Sequence, residues 1–492
     1  MIIKNNIDEI QNYLLDASNY TGYCEAVYFP ESESDVIEIL KKCSEEKKRV
    51  TVSGNGTGLT GARVPEGGIV LSLERMNRVI EVNERDFYAV VEPGVLLKEF
   101  QDLVELKNLF YPPDPTERNC FIGATVATNS SGARTFKYGP TRDYVLGLNV
   151  VLPDGDKLKI SRGQFISDGY DAILTTESGR VISFKLPVYE MPKTKNASGY
   201  FCKENMDLID LFIGSEGTLG VITEIKLKLI NLPKDVFSCV AFFNNEDNAL
   251  NFLEEARSLS RETEVNNLNG ISARGLEFFD SKALKFLSVS YPKIPIKAEA
   301  AVWFEQEKDN NKIDIDALWI ELLNKHKCLI DQSWIALGYK DEEEFKDFRH
   351  AISWKVNEFI TQKGLKKVGT DIAVPDEVFR KFYKSAKNLV EKNNLAYVIY
   401  GHAGNSHLHL NMLPKNQAEF NTAKRIYSDL CDLAIKLKGT VSAEHGIGKA
   451  KREYLLRMYG EEVIKKMVLI KLALDPDKIL SIGNIFDERF LD

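Results

Sequence analysis

The chain has 492 residues, of which 44% are hydrophobic and 28% are charged, and its formal net charge is −8. This length predicts two or three domains with their own cores, and the acidic balance argues against nucleic acid as the main partner. No apolar run approaches the roughly 18 residues of a membrane span, and no signal peptide is recognisable, so we expect a cytoplasmic protein without a membrane span.

The seven cysteines are scattered, and no two of them form a C-x-x-C pair. This pattern excludes a standard iron–sulfur cluster or thiolate zinc site within the chain. An odd number of widely spaced cysteines fits reduced thiols in a cytoplasmic protein.

A glycine-rich segment follows the first long predicted helix. Apolar spacing predicts that helix over 35–48, with Ser34 as its cap, and a short strand at 50–52. The segment SGNGTGLTGA (53–62) comes next, and another strand is predicted over 69–73. Closely spaced glycines let backbone N–H groups converge on a phosphate. The segment fits neither a Walker loop nor a Rossmann turn, so a phosphate loop between strands and an ordinary turn both remain open.

Three further segments of the first half suggest a ligand-binding surface. YPPDPT (111–116) is rigid, because each proline fixes its own φ and restricts the preceding residue. IGATVATNSSGAR (122–134) consists of small residues that would let a planar ligand lie against the backbone; tight packing of a helix on a sheet is the alternative. A hairpin turning at 153–155 and the glycine-rich FIGSEGTLGVIT (212–223) follow.

Beyond residues 232–233 the glycine-rich pattern stops, and a strand–helix–strand rhythm begins. The first unit has strands at 236–243 and 300–304 and a helix over about 246–260. The second has a helix over 376–393 and strands at 396–400 and 407–413. Two such units predict an antiparallel sheet covered by helices on one side, which is an α+β arrangement.

Histidines are concentrated near the C-terminal end. Three of the six lie in GHAGNSHLHLN (401–411), and a fourth, His445, follows Glu444 in SAEHGIG (442–448). Two imidazoles and one carboxylate are a ligand set that suits zinc or a similar divalent ion.

The strand pattern around these histidines supports a shared site. Period-two alternation places His407, His409 and Asn411 on one strand face and leucines on the other. Glycines close to His402 would let the chain bend so that this side chain joins them. The alternative is a surface loop or a few hydrogen-bonded core histidines.

Together these segments resemble the FAD-linked 2-hydroxy-acid dehydrogenases. These enzymes form the D-lactate, glycolate and D-2-hydroxyglutarate dehydrogenase branch of the vanillyl-alcohol-oxidase-type flavoproteins. The resemblance runs from about Val27 to Phe486 and rests on six motifs in order: SGNGTGLTGA, PPDPT, GATVATNSSGARTFKYG, GSEGTLGVIT, GHAGNSHLH and EHGIG.

The resemblance implies an α+β fold with three parts. Residues 1–232 would form a PCMH-type FAD-binding domain of two subdomains, and residues 233–440 a substrate cap with an antiparallel, ferredoxin-like sheet. Residues 441–492 would complete the metal site and return as helices to the FAD domain.

By this resemblance the chain binds FAD. The residues implied as FAD contacts are Gly54, Asn55, Gly56, Thr57, Gly58, Pro113, Thr116, Gly123, Ala124, Ala127, Thr128, Ser130, Gly132, Ile222 and Asn484. Asn484 stands where a lysine is usual in the family. The first histidine is His326, which excludes a histidyl–flavin bond in the FAD domain, so we expect non-covalent FAD, with a thioether to Cys120 as the alternative.

The resemblance assigns a divalent metal, zinc or manganese, to His402, His409 and Glu444. His407 stands where asparagine is common and is either an alternative ligand or a neighbour that supports the ligands. His445 is implied as the general base that removes the hydroxyl proton while the C2 hydride passes to the flavin.

The resemblance also places Arg349 and Asn411 at the substrate carboxylate, with Ser353 or Tyr454 assisting. A planar guanidinium suits a carboxylate. From the residues alone, an exposed arginine amid glutamates 342–344 is the alternative for Arg349.

Some family members carry a substrate-binding lysine where this chain has Gly369, which favours a monocarboxylate such as D-lactate over D-2-hydroxyglutarate; glycolate is a further alternative. The electron acceptor is expected to be a separate quinone, cytochrome or electron-transfer protein. A homodimer and a peripheral membrane association are both compatible with the sequence. Rival functions are an alkyl-glycerone-phosphate synthase-like reaction, metal-dependent hydrolysis and an electron-relay subunit.

Overall fold

A four-stranded sheet opens the N-terminal half of this computed structural model, which describes residues 1–18, 20–308, 313–362, 364 and 366–491. The elements of this part are β1 (Ile2–Lys4), α1 (Ile7–Ile10), β2 (Ala26–Phe29), α2 (Glu33–Glu45), β3 (Val50–Ser53) and β4 (Ile69–Ser72). The strand order is β1-β2-β4-β3, and β4 pairs in parallel with both β2 and β3. Helix α2 confirms the predicted helix, but Ser32 caps it instead of Ser34, since its hydroxyl accepts a hydrogen bond of 3.2 Å from the N–H of Asp35.

An antiparallel five-stranded sheet forms the second part of this half. The elements here are β5 (Val79–Asn83), β6 (Tyr88–Val91), α3 (Leu97–Glu105), β7 (Leu109–Phe110), α4 (Ile122–Thr128), α5 (Thr135–Tyr138), β8 (Val145–Val151), β9 (Lys157–Ser161), β10 (Asp171–Thr175), β11 (Val181–Lys185), α6 (Ile209–Phe212), β12 (Val221–Lys228) and β13 (Ile230–Asn231). The sheet has the order β5-β6-β12-β8-β9, while β10–β11 and β7–β13 form separate pairs. The predicted hairpin at 153–155 is confirmed, because it joins β8 to β9.

A single eight-stranded sheet dominates the second half of the chain. The elements are β14 (Val236–Phe243), α7 (Glu246–Val265), β15 (Gly275–Asp280), α8 (Ser281–Leu287), β16 (Ala300–Glu307), α9 (Ile315–Lys325), β17 (Trp334–Ile335), α10 (Tyr339–Gln362), β18 (Val368–Gly369), β19 (Ile372–Ala373), α11 (Phe379–Lys392), β20 (Tyr397–Gly401), β21 (His407–Met412) and α12 (Gln417–Lys436). The order is β17-β14-β16-β15-β20-β21-β18, with β19 also paired to β21, and all pairs are antiparallel. The predicted antiparallel sheet is therefore confirmed.

The prediction that helices cover only one side of this sheet is wrong. Alternate residues of a strand face opposite sides, and the two faces of β14 join two different cores. Helices α7, α9, α11 and α12 pack in one core, and α8 and α10 pack in the other. Helix α10 is needed there because Trp303 and Val398 would otherwise be exposed; its Phe348 and Ile352 are buried beside them.

The C-terminal segment returns to the first sheet. It contains α13 (Arg452–Tyr459) and α14 (Glu461–Leu474). Short 3-10 helices of the described chain span Gln11–Tyr13, Thr141–Tyr144, Ile330–Gln332, Asp376–Val378, Ala403–Asn405 and Glu488–Phe490. The N–H of Val50 donates to the carbonyl of Ile479, and the N–H of Ser481 donates to the carbonyl of Val50, both at 2.8 Å. The segment after α14 thus extends the sheet beside β3.

Within the described ranges, we find no helix with both the length and the apolar character that a membrane crossing requires.

Candidate active site

The turn between β20 and β21 brings the histidines together. Gly401 lies at φ +140, and a Cβ there would lie 3.0 Å from the backbone nitrogen of His409, so any side chain at this bend would be strained. The predicted alternation is confirmed: Leu408 and Leu410 enter the hydrophobic core, and His407 and His409 lie on the other face of β21.

Two of the predicted metal ligands, His402 and His409, flank the carboxylate of the third, Glu444. The Nε2 atom of His402 lies 3.4 Å from Oε2 of Glu444, and Nε2 of His409 lies 3.3 Å from Oε1. Together with His407, they form a cluster whose possible ligand atoms all lie within 4.8 Å of one another. The sequence thus predicted side chains that the fold does bring together, and it left the part of His407 open.

The imidazoles of His402 and His409 are each oriented by a contact at Nδ1, the ring nitrogen that does not face Glu444. Nδ1 of His402 lies 2.6 Å from Oε1 of Glu277, and Nδ1 of His409 lies 3.2 Å from the carbonyl oxygen of Thr370. Burial lowers the pKa of His402, but the carboxylates of Glu277 and Glu444 together outweigh burial and raise it to about 9. For His409, burial prevails and lowers the pKa. Hydrogen bonding at the far ring nitrogen is the usual way in which a protein aims a ligating histidine.

Two groups that the sequence did not reveal hold Glu444 in place. Nζ of Lys195, which is almost fully buried, lies 2.7 Å from Oε2 of Glu444. Burial alone would raise the pKa of Glu444, but Lys195 and the imidazoles hold it well below its usual value. Asp371 accepts hydrogen bonds from the N–H groups of Ala443, Glu444 and His445, at 3.0–3.2 Å. Asp371 thereby fixes the backbone of the Glu-His pair.

His445 lies between the histidine cluster and a neighbouring cavity. Its Nε2 lies 3.5 Å from Oε1 of Glu444, its Nδ1 lies 3.4 Å from Oδ2 of Asp371, and its ring stacks on His409 with centroids 5.7 Å apart. The side chain is 25% exposed and lines the neighbouring cavity. His445 therefore contacts both parts of the site.

That cavity lies between the glycine-rich loop, helix α4 and the segment 215–222. Ten of the predicted FAD contacts line it: Gly54, Asn55, Gly56, Thr57, Gly58, Gly123, Ala124, Ala127, Thr128 and Ile222. A Cβ at Gly54 would lie 2.9 Å from Cβ of Ala124, so loop and helix approach each other closely. Arg63 braces the loop, because its Nη1 donates to the carbonyl of Gly54 at 2.7 Å. Backbone and small side chains lining such a cavity fit a pyrophosphate-linked cofactor.

The other five predicted FAD contacts do not line this cavity; they are Pro113, Thr116, Ser130, Gly132 and Asn484. Gly132 packs against the backbone of Asp114, whose carbonyl oxygen would lie 2.1 Å from a Cβ. Ser130 shares a hydrogen bond of 2.9 Å with the hydroxyl of Thr128, which does line the cavity. Cys120 is buried in the core and is also absent from the lining.

Asn484 supports the cavity from behind. Its Nδ2 donates to the carbonyls of Ala62 at 2.8 Å and Glu216 at 3.1 Å, and both of these residues line the cavity. Its Oδ1 accepts a hydrogen bond of 2.9 Å from Nζ of Lys449. A lysine therefore reaches this position from a different part of the chain, and burial lowers its pKa to about 8.

The alternative of an exposed Arg349 is wrong. Helix α10 carries this side chain into the interior, where its guanidinium lies 5.0 Å from the ring centroid of Trp303. Its Nη2 lies 3.4 Å from Oδ2 of Asp114, and its Nε has no hydrogen-bond partner. The next residue, His350, approaches Nη2 with its Nε2 at 2.5 Å, and burial lowers the pKa of His350 to about 2.

The three remaining predicted substrate contacts lie in different surroundings. Asn411 is buried beside Gly369, since a Cβ at Gly369 would lie 2.8 Å from its Oδ1. Ser353 shares a hydrogen bond of 2.9 Å with Tyr400, whose ring lies 5.7 Å from that of His409. Tyr454 instead packs its ring against Tyr427, between α12 and α13.

The arrangement matches known protein families along most of its length. Residues 24–161 match a family described as FAD binding domain, and residues 232–485 match one described as FAD linked oxidases, C-terminal domain. The chain is 31% identical over 484 residues to the glycolate oxidase subunit GlcD of Bacillus subtilis, covering 96% of this chain and 92% of that protein. It is 30% identical over 463 residues to a D-lactate dehydrogenase of Anaerostipes hadrus, covering 92% and 88%. The fold resembles that of p-cresol methylhydroxylase, with a TM-score of 0.70 at 15% identity, covering 99% of this chain and 94% of that one.

Proposed function

Because the chain belongs to the family of FAD-linked oxidases and is therefore an oxidoreductase, we propose that it oxidises a D-2-hydroxy acid, preferentially D-lactate, to the 2-oxo acid. The observation that carries this proposal is the position of His445. Its imidazole lines the cavity suited to FAD and also lies 3.5 Å from Glu444 in the histidine cluster. The relatives named for glycolate and for D-lactate support the 2-hydroxy acid class.

His445 would act as the general base for the substrate hydroxyl. Oxidation of a secondary alcohol removes a proton from oxygen and a hydride from the adjacent carbon, so the base must stand where both atoms can be reached. Imidazole takes up a proton near neutral pH. Asp371, 3.4 Å from Nδ1, would hold the ring and stabilise its protonated form.

Arg349 and Asn411 would hold the substrate carboxylate. The Nε of Arg349 is buried without a partner, and burying an unsatisfied donor is costly, so a carboxylate would complete its hydrogen bonding. A guanidinium can bind a carboxylate through two parallel N–H groups. Gly369 offers no side chain for a second carboxylate beside Asn411, which supports D-lactate over D-2-hydroxyglutarate; glycolate is the other alternative.

The cofactors of the proposed reaction are FAD, bound non-covalently, and a divalent ion. When bound, FAD would accept the hydride from C2 of the substrate. A divalent ion, zinc or manganese, would lower the pKa of the substrate hydroxyl as a Lewis acid. The donor set fits such an ion, because imidazoles and a carboxylate converge on one point. The imidazoles of His402 and His409 each have a partner at Nδ1, which leaves Nε2 free to bind the ion. His402, His409 and Glu444 would be the ligands.

The reduced flavin would pass its electrons to a separate acceptor, a quinone, a cytochrome or an electron-transfer protein. Neither of the two groups of possible metal ligands in the described part of the chain contains a cysteine, so neither could hold an iron–sulfur relay. We further propose a cytoplasmic location; peripheral membrane association and a homodimer are both compatible with it.

A steady-state assay with an artificial electron acceptor tests the proposal. D-lactate, L-lactate, glycolate and D-2-hydroxyglutarate would be compared as substrates of the FAD-loaded protein. We expect the highest kcat/KM with D-lactate, with pyruvate as product and with L-lactate inert. A preference for D-2-hydroxyglutarate would reject the substrate assignment, and no turnover with any of the four acids would reject the proposed reaction.

A further inference from the structure

The proposed metal site contains one imidazole more than the three ligands named above. Resting on that proposed function, we infer that His407 is a fourth protein ligand, so that the ion is held by three imidazoles and one carboxylate. His407 is fully buried on the same face of β21 as His409.

The position of His407 meets the first requirement of a ligand, which is proximity. Its Nδ1 lies 3.9 Å from Oε2 of Glu444. Its ring centroid lies 4.5 Å from that of His409 and 5.3 Å from that of His402. One nitrogen of each histidine and one carboxylate oxygen lie within 4.8 Å of one another, which a single ion can span.

The orientation of His407 meets the second requirement. Its Nε2 lies 3.1 Å from Oδ1 of Asp371, while Nδ1 faces Glu444. His402 has the same arrangement with the two nitrogens exchanged, since its Nδ1 lies 2.6 Å from Glu277 and its Nε2 faces Glu444. A carboxylate at the far nitrogen is the usual partner of a ligating imidazole.

The bonding state of His407 supplies an independent observation. Nδ1 has no hydrogen-bond partner, and Nε2 has only the 3.1 Å ionic contact with Asp371. A fully buried imidazole with unsatisfied nitrogens is costly. Coordination of an ion through Nδ1 would satisfy one of them.

His445 does not belong to this ligand group. It lies outside the four-residue cluster, forms a second group of possible ligands with Asp371 and Glu444, and is the partly exposed histidine that lines the FAD cavity. It therefore stays available as a base while His407 completes the ligand set.

A fourth ligand changes which ion the site would favour. Four protein donors close a tetrahedral zinc site, and a closed site is structural instead of catalytic. An ion that accepts six ligands keeps room for the hydroxyl and carboxylate oxygens of a 2-hydroxy acid. Of the two candidate ions, this favours Mn²⁺.

The test combines X-ray absorption and binding of Mn²⁺ to the FAD-loaded protein. We expect three imidazoles around manganese in the wild type and two in His407→Asn, together with a Kd for Mn²⁺ raised on the order of 100-fold. His326→Gln is the matched control, because His326 pairs with Glu255 far along the chain from the cluster, and it should keep the wild-type values.

Two imidazoles in the wild type, or an unchanged Kd in a folded His407→Asn variant, would overturn the inference. If this variant does not fold, the imidazole count of the wild type decides alone. A wild type that binds no divalent ion at all would instead reject the metal of the proposed function. Two imidazoles around a bound ion would leave that function standing and remove only His407 from it.

Discussion

The Nε2 atom of His445 lies 3.5 Å from Oε1 of Glu444, and the same imidazole lines the cavity suited to FAD. The hydroxyl oxygen and the C2 carbon of a 2-hydroxy acid are bonded neighbours. A base that removes the proton must therefore stand where the two halves of the site meet, and this is where His445 lies.

His445→Asn tests this role. The variant removes the base but keeps a small polar side chain, so we expect the rate of flavin reduction by D-lactate to fall on the order of 10²–10⁴-fold, with FAD still bound. Anaerobic stopped-flow absorbance measures the rate, and His326→Gln serves as the control. An unchanged reduction rate would exclude His445 as the base.

Arg349→Lys tests recognition of the carboxylate. The positive charge beside Asp114 stays, but the bidentate fork is lost. We expect kcat/KM for the hydroxy acid to fall roughly 10–100-fold, mainly through KM, because a hydrogen bond to a charged group contributes about 1.5–3 kcal/mol. Arg380→Lys, at an ion pair with Glu254 on the surface of α11, is the matched control. Equal losses in the two variants would contradict a specific role for Arg349.

Lys451→Met tests the support of the Glu444–His445 turn. Nζ of Lys451 lies 2.6 Å from Oδ2 of Asp371, and both side chains are buried. Removing the lysine leaves a buried carboxylate without its cation, so the free energy of unfolding should fall by about 3–5 kcal/mol. Urea unfolding measures this. Lys465→Met, at the exposed pair with Glu461, should leave stability unchanged. A Lys451→Met variant as stable as wild type would show that the pair does not hold the turn.

Glu216 should make stability depend on pH. Burial raises the pKa of this carboxyl to about 7, against hydrogen bonds from the N–H groups of Ile447 and Gly448. Because the folded pKa lies above the unfolded value near 4.5, the folded protein binds this proton more tightly. The stability contribution is then present below pH 4.5 and is lost as pH rises through about 7.

The free energy of unfolding of the wild type, relative to Glu216→Gln, should therefore fall by about 3 kcal/mol between pH 4.5 and pH 8. Denaturant unfolding at a series of pH values measures this difference. Parallel pH profiles for the two proteins would contradict the assignment.

Local patterns in the sequence predicted much of the fold and of the candidate site. The alternation in β21 placed His407, His409 and Asn411 on one face, and the glycine spacing placed the loop of residues 53–62 between strands. Lys195, Glu277 and Lys449 gave no comparable signal, because each reaches the site from a distant segment and only the folded chain brings it there. The position of helix α10 on the second sheet face was missed for the same reason, since its partners lie on strands far away in sequence.

The most direct test is an anaerobic absorbance spectrum of the FAD-loaded protein before and after D-lactate, repeated after removal of divalent ions by a chelator. We expect the flavin band to bleach with D-lactate, to persist with L-lactate, and to persist with D-lactate once the ions are removed. A band that D-lactate leaves unchanged, or that bleaches equally well after chelation, would contradict metal-assisted oxidation of a D-2-hydroxy acid.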